Sequence, residues 1–346
     1  MFIRWNDPCV RLTGRWSRLE EDSTNPYIYM RPTAQYTTTT APGSYFEIAY
    51  CGRQILLHFD LGYLGKPYPH LWVQVDGGAL MEVPLDRHIR IDGLTEGNHV
   101  VKVLYKGGME MLPRWYPPLM GAVSFIGADA DAPGELPEDK RKIIEFIGDS
   151  ITEGVSIDVD YYHTPGNLID QFNRVYQDDN LATYAAITAE RLNLRPMFQA
   201  YGAVGITRAG CGSVPRAGLI YPYVFDGVPY TGEKPDIVVI NHGTNDRAAA
   251  PGEFIRRYAE LVDMIRENTP EAVIVCLTPF IGAYDEEIGA FVEAYKRSHE
   301  KAIHYVSTKG WIEPEPLHPL RSGHLTVADH FTPILKEILE KRHITF

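Results

Sequence analysis

The stretch KIIEFIGDSITEG, residues 142–154, decides how this chain is read. It opens with a short apolar run, the pattern of a strand buried on both faces of a sheet. Small and polar residues follow at once: Gly148, Asp149, Ser150, Ile151, Thr152. In an open parallel α/β sheet, ligands bind at the carboxyl ends of the strands. A serine in that position is therefore a candidate for chemistry, and also for an ordinary turn or helix N-cap with Glu153 three residues on.

Downstream, strands and helices alternate. NLATYAAITAERLNL (180–194) reads as a helix, MFQAY (197–201) and DIVVIN (236–241) as strands, and AVIVCLTPF (272–280) as a buried strand containing Cys276. In GEFIRRYAELVDMIREN (252–268), Phe254, Ile255, Tyr258, Leu261, Val262 and Ile265 keep helical spacing on one face. DEEIGAFVEAYKRSHEKA (285–302) is predicted helical, and a last helix is predicted over about 326–341. Such alternation implies a parallel sheet wrapped by helices. The insert VDYYHTPGNLIDQFNRVYQDDN (159–180) is long for a βα loop. Its tyrosines suit stacking on sugar rings, or sealing the loop onto its own domain or a second subunit.

Upstream, the pattern is different. SYFEIAYCG, RQILLHFDL, HLWVQVDGG and HVVKVLYKGG alternate apolar and polar residues and end in Gly or Asp turns. No helical stretch interrupts them. An antiparallel sandwich such as a jelly roll is expected over residues 1–130. GADADAPGELPEDK (127–140) is rich in Ala, Pro, Gly and acid, and reads as the linker, set at 131–140. The second domain is then 141–346.

Composition narrows the partners. The net charge of −12 offers no basic field for nucleic acid or an anionic membrane, so a neutral substrate fits better. Twenty-one tyrosines and five tryptophans suit sugar handling, and equally suit two β-containing domains that need aromatics. Four scattered cysteines, Cys9, Cys51, Cys211 and Cys276, form no metal-like or CxxC spacing and are expected reduced. No basic and apolar leader precedes the first strand, so a cytoplasmic protein is expected, or a secreted one whose leader is absent from this sequence.

The informative short stretches fall at strand ends or before the last helix: GDSIT, then Gly202-Ala203-Val204-Gly205, then His242-Gly243-Thr244-Asn245-Asp246, then Glu315-Pro316-Leu317-His318-Pro319. Those parts suit acyl transfer. A serine hydroxyl needs a base within hydrogen-bond reach, and His318 can supply one. A carboxylate such as Glu315 can fix the imidazole tautomer. The Ser150 N–H, a backbone N–H at Ala203 or Gly205 and the Asn245 amide are candidate oxyanion donors. Trp311, Asp149 and His242 are candidate substrate contacts. Asp149 also reads as a structural hydrogen-bonder beside the serine turn, His242 as packed, and Trp311 as a core tryptophan. His324 and His330 join His318 in no common zinc spacing, so no metal and no cofactor is expected.

Four blocks in this order resemble the SGNH (GDSL-type) hydrolases: GDSIT the first, YGAVGIT the second, GTND the third and EPLHPLRSGH the last. The resemblance implies a flavodoxin-like α/β/α domain with Ser150 as nucleophile and His318 as base. With a sandwich ahead of it, the chain is similar to carbohydrate esterase family 2; LTGRW, PGSYFEIAYCG and GLTEGNHVVKVLYK carry the looser likeness. That resemblance implies an acetylesterase acting on acetylated xylan or mannan saccharides. Two departures stand out. The last block has Glu315 where the family has aspartate, which leaves Glu315, Glu313 or a Ser-His dyad open. Ala203 stands where glycine is common. The rival readings are a lipase or thioesterase acting on other acyl esters, and an inactive carbohydrate-binding protein. Oligomeric state is left open.

Overall fold

The computed structural model describes residues 1–21, 33–159, 174–299 and 302–346. The N-terminal part is antiparallel: β1 (Phe2–Arg4), β2 (Val10–Thr13), β3 (Thr37–Thr39), β4 (Tyr45–Phe59), β5 (His70–Val75), β6 (Met81–Pro84), β7 (His88–Ile91), β8 (Asn98–Gly107) and β9 (Val123–Pro133). Strand β4 is the spine and pairs with β2, β7, β8 and β9. Sequence alternation suggested two strands here, but the chain does not turn between them. Gly52 sits at φ +129, and the register against β9 shifts between Cys51 and Ile55. Glycine accepts that conformation, so the strand bends instead of ending. Both halves of β4 then face one core, where Phe46 stacks on Phe125 at 3.9 Å and lies 6.3 Å from Phe59.

The stretch read as a linker needs correction at its start. Gly127–Pro133 is the second half of β9, paired with β1 and β4. Ala128 and Ala130 point inward and are buried, while Asp129 and Asp131 point out. The alternation is there, but small apolar residues made it look like loop composition.

The C-terminal part holds β10 (Ile143–Gly148), β11 (Arg195–Ala200), a small hairpin of β12 (Tyr223–Phe225) and β13 (Val228–Pro229), then β14 (Ile237–Asn241), β15 (Val273–Leu277) and β16 (Ile303–Val306). The five-stranded sheet has the order β11-β10-β14-β15-β16, and every pair is parallel. Counted within the sheet this is 2-1-3-4-5, the flavodoxin-like order, with its switch point at the carboxyl end of β10. The fifth strand, β16, was not marked in the sequence.

Alternate residues feed the two faces: Val238 and Ile240 join the cluster under Tyr258 and Leu261, and Ile237 and Val239 the cluster under Phe331 and Leu335. The helix Pro251–Asn268 buries Phe254, Tyr258, Leu261, Val262 and Ile265, as its spacing predicts. The last helix, Arg321–Lys341, starts five residues earlier than expected and takes His324 into its buried face.

Two buried ion pairs lock the parts together. Arg15 Nε donates to Glu145 Oε1 at 2.8 Å, and its Nη1 donates to Tyr221 O at 2.7 Å. Arg114, from the segment between β8 and β9, pairs with Glu153 on the short helix Ser150–Glu153. None of these four side chains is more than 2% exposed. A charge held out of water is costly unless it is partnered. Arg114→Met is therefore expected to lower unfolding free energy by about 3–5 kcal/mol, read as a reduced urea midpoint. Adding Glu153→Met should recover much of that loss by removing the orphaned charge; a double variant no better than the single one would show that charge burial is not the cause.

Candidate active site

At the end of β10 the chain must turn sharply. A Cβ on Gly148 would overlap Thr152 Oγ1, so glycine makes the turn possible. Asp149 caps the helix that follows, its Oδ1 accepting from Ile151 N at 3.0 Å. The N-cap is thus Asp149, and Ser150 is free of that duty. Ser150 Oγ lies 2.8 Å from His318 Nε2, although 168 residues separate them.

The oxyanion candidates divide by what their N–H groups already do. Gly205 N donates to Arg208 O at 3.1 Å and Val204 N to Tyr201 O at 3.2 Å, so the Gly205 N–H is committed elsewhere. The N–H groups of Ser150 and Ala203 have no acceptor among the described residues. Ala203 sits at φ +57, the left-handed region, which costs an alanine about 1 kcal/mol. The turn is held from β14: Asp246 accepts from Ile206 N at 3.0 Å and from Thr207 N at 2.8 Å. Asn245 Nδ2 donates to Val204 O at 3.1 Å and to Asp149 Oδ2 at 3.3 Å. A side-chain amide has two N–H protons, and both are engaged here. Asn245 thus joins the cluster as a tie between the ends of three strands.

The other candidates have different surroundings. Glu315 is exposed and does not bond His318: among the described residues no carboxylate hydrogen-bonds that ring. Asp149 is fully buried, with its carboxyl pushed up to about 7, chiefly by burial and further by Asp246, against the hydrogen bond from Ile151 N–H. It shapes the turn and is closed to a substrate. His242 is 1% exposed, and burial lowers it to about 4, so it stays neutral and packed. Trp311 stacks on His330 at 5.4 Å and lies 6.5 Å from Phe331, against the last helix. His324 Nδ1 accepts from Tyr184 N at 3.1 Å, which anchors that helix. Among the described residues no group of three or more His, Cys, Asp or Glu is arranged for a metal ion.

Three residues escaped the sequence reading. Arg321 lies inside the quoted block EPLHPLRSGH; its guanidinium pairs with Asp158 and Asp179, and its N–H donates to Ile157 O at 3.2 Å. It pins the His318 loop to the segment that follows Ser150. Glu110 and Arg174 pair at 2.8 Å beside the site. Glu110 comes from GGMEMLPRW, which has no periodicity to announce it. Burial holds the His318 pKa below its ordinary value; the charge of Glu110 opposes this and that of Arg174 adds to it. Of the long insert, residues 160–173 lie outside the described residues, including Tyr161 and Tyr162. Its far end docks on the β domain, where Lys106 Nζ donates to the carbonyls of Val175 and Tyr176, both at 3.1 Å.

Residues 146–330, more than half of the chain, match the model of the GDSL-like lipase/acylhydrolase family. The chain belongs to that family. The likeness also reaches the β domain. A solved family two carbohydrate esterase from Clostridium thermocellum, in complex with cellohexaose, superposes with a TM-score of 0.74 over 96% of this chain and 99% of its own, at 22% identity. The acetylxylan esterase/glucomannan deacetylase of Cellvibrio japonicus is 24% identical over 79% of this chain and 78% of its own length. The cellulase/esterase CelE of Acetivibrio thermocellus is 30% identical over 74% of this chain, which spans 31% of that longer protein. The two-part architecture is that of the family two carbohydrate esterases.

With Glu315 exposed and unbonded to His318, Glu315→Gln is expected to leave ester turnover within about a factor of two, the range of a surface change. A loss of a hundredfold or more in kcat would place that carboxylate in the site after all.

Proposed function

We propose that this chain is a serine esterase that removes O-acetyl groups from acetylated hemicellulose sugars, mannan or xylan oligosaccharides, through an acetyl-serine intermediate. The observation that carries the reading is the 2.8 Å contact between Ser150 Oγ and His318 Nε2, together with two backbone N–H groups that have no acceptor among the described residues. The relative named for acetylxylan and glucomannan deacetylation supports the substrate class.

Ser150 Oγ attacks the acetyl carbonyl carbon while His318 Nε2 takes its proton. The carbonyl oxygen becomes the oxyanion, and the N–H groups of Ser150 and Ala203 donate to it. Asn245 keeps its bond to Val204 O and turns its other N–H from the longer, 3.3 Å bond with Asp149 to the oxyanion as a third donor. The tetrahedral centre collapses, the sugar oxygen leaves, and His318 returns the proton to it. Water then attacks acetyl-Ser150 with His318 again as base, and acetate departs from the restored serine. No carboxylate is needed to hold the imidazole, since its loop is pinned by Arg321.

Acetate release from acetylated mannan and xylan oligosaccharides should be seen with the wild type and fall by about 10⁴-fold or more in Ser150→Ala, as when an acyl-transfer nucleophile is removed. Equal release by Ser150→Ala would sink the assignment. His318 must be neutral to act as base. Its lowered pKa keeps it neutral further into acid, so the acidic limb of kcat/KM should fall below the ordinary histidine value of roughly 6.5. A limb above that value would contradict a desolvated base.

A further inference from the structure

We infer that Glu110, carried by the N-terminal domain, is a specificity-determining residue of this site and accepts a hydrogen bond from a hydroxyl of the sugar bearing the scissile acetyl group. The inference rests on the esterase reading above.

Four observations converge on Glu110. First, its segment packs directly on the oxyanion turn. A Cβ on Gly202 would overlap Glu110 Oε2; one on Gly212 would meet Leu112 O at 2.5 Å and Glu110 O at 3.0 Å. Arg114 N donates to Gly212 O at 2.9 Å and holds the two segments in register. Second, the carboxylate is held in place. Its Oε1 pairs with Arg174 at 2.8 Å, and Arg174 is itself bound by Ser156 Oγ and lies 3.6 Å from Asp178.

Third, Oε2 has no hydrogen-bond partner among the described residues, while the side chain is 16% exposed. An ionised carboxylate offers about four lone-pair positions, so this fixed oxygen, packed on the Gly202 turn, keeps open acceptor capacity. Fourth, Glu110 lies near enough to the His318 ring for its charge to act there. In the proposed mechanism His318 hands its proton to the departing sugar oxygen. The sugar ring then lies on the His318 side of the acyl carbon, and Glu110, packed on the Gly202 turn with its charge acting on His318, is a side chain available to meet it.

The chemistry of the group selects its ligand. A carboxylate only accepts, so it favours a hydroxyl that donates and disfavours an anionic substituent. It offers nothing to a long alkyl chain. A half-desolvated acceptor that lacks a donor is also costly, and a sugar hydroxyl removes that cost on binding. The β domain thereby supplies a recognition group as well as support.

The test compares full-length wild type, Glu110→Gln and Glu110→Ala on two substrates: acetylated xylo- and manno-oligosaccharides, and 4-nitrophenyl acetate, which has no sugar hydroxyl. Rates are taken on the plateau above the acidic limb, where a change in His318 charge does not enter. On the sugar esters kcat/KM should fall about 10–100-fold in both variants, the range for losing a hydrogen bond to a charged group. On 4-nitrophenyl acetate it should stay within about twofold. Glu110→Gln keeps the size of the side chain against Gly202, so it guards against a packing defect in Glu110→Ala. Equal losses on both substrates would make Glu110 a support for the oxyanion turn and overturn the inference. Undiminished sugar activity in both variants would overturn it alone. A wild type that leaves every acetylated sugar intact would overturn the esterase reading and this inference with it.

Discussion

The Arg114–Glu153 pair sits where the two parts of the molecule meet, and the candidate site depends on it. Glu153 lies on the same four-residue helix as Ser150. A helix that short has no stability of its own. It exists because Asp149 caps one end, Gly154 closes the other in the left-handed conformation, and Arg114 neutralises a carboxylate that would otherwise be stranded. The arginine belongs to the β domain. That domain is therefore part of the framework holding the serine, and cannot be treated as an appendage.

Polar side chains, more than apolar packing, set the geometry at the strand ends. Asp149, Asn245 and Asp246 link β10, the turn after β11, and β14. Arg321 and His324 bring the last helix to the same place. Buried hydrogen-bonded groups tolerate little displacement, because each unmade bond costs a full desolvation penalty. This explains how a loop 168 residues away in sequence can present its imidazole to Ser150 Oγ at hydrogen-bond distance. It also explains how that imidazole keeps its place with no carboxylate of the described residues bonded to it.

Much of this was legible in advance. The apolar run before Ser150 made a doubly buried strand, and the four blocks lie at strand ends because small and polar residues stop strands there. Other features were hidden. Gly127–Pro133 read as a linker since alanine and aspartate dominate it, yet the alanines alternate into the core. Gly52 read as a break but only bends β4. Glu145 inside an apolar strand was a signal passed over: a buried carboxylate demands a partner, and Arg15 supplies it. Glu110 gave no signal at all, since its segment has no period and its partners lie in the other domain.

Sequence by itself determined the class of each half, the parallel sheet, and the identity of Ser150 and His318 as the pair to watch. The first two follow from periodicity, a local property; the pair follows from residue types at strand ends and from the resemblance of the four ordered blocks. Only the tertiary structure decided which N–H groups are left without acceptors, that Glu315 points to solvent, and that Glu110 and Arg114 reach in from the β domain. The reason is that exposure, hydrogen-bond pairing and the separation of distant residues are properties of the packed chain, set by neighbours that the order of residues does not name.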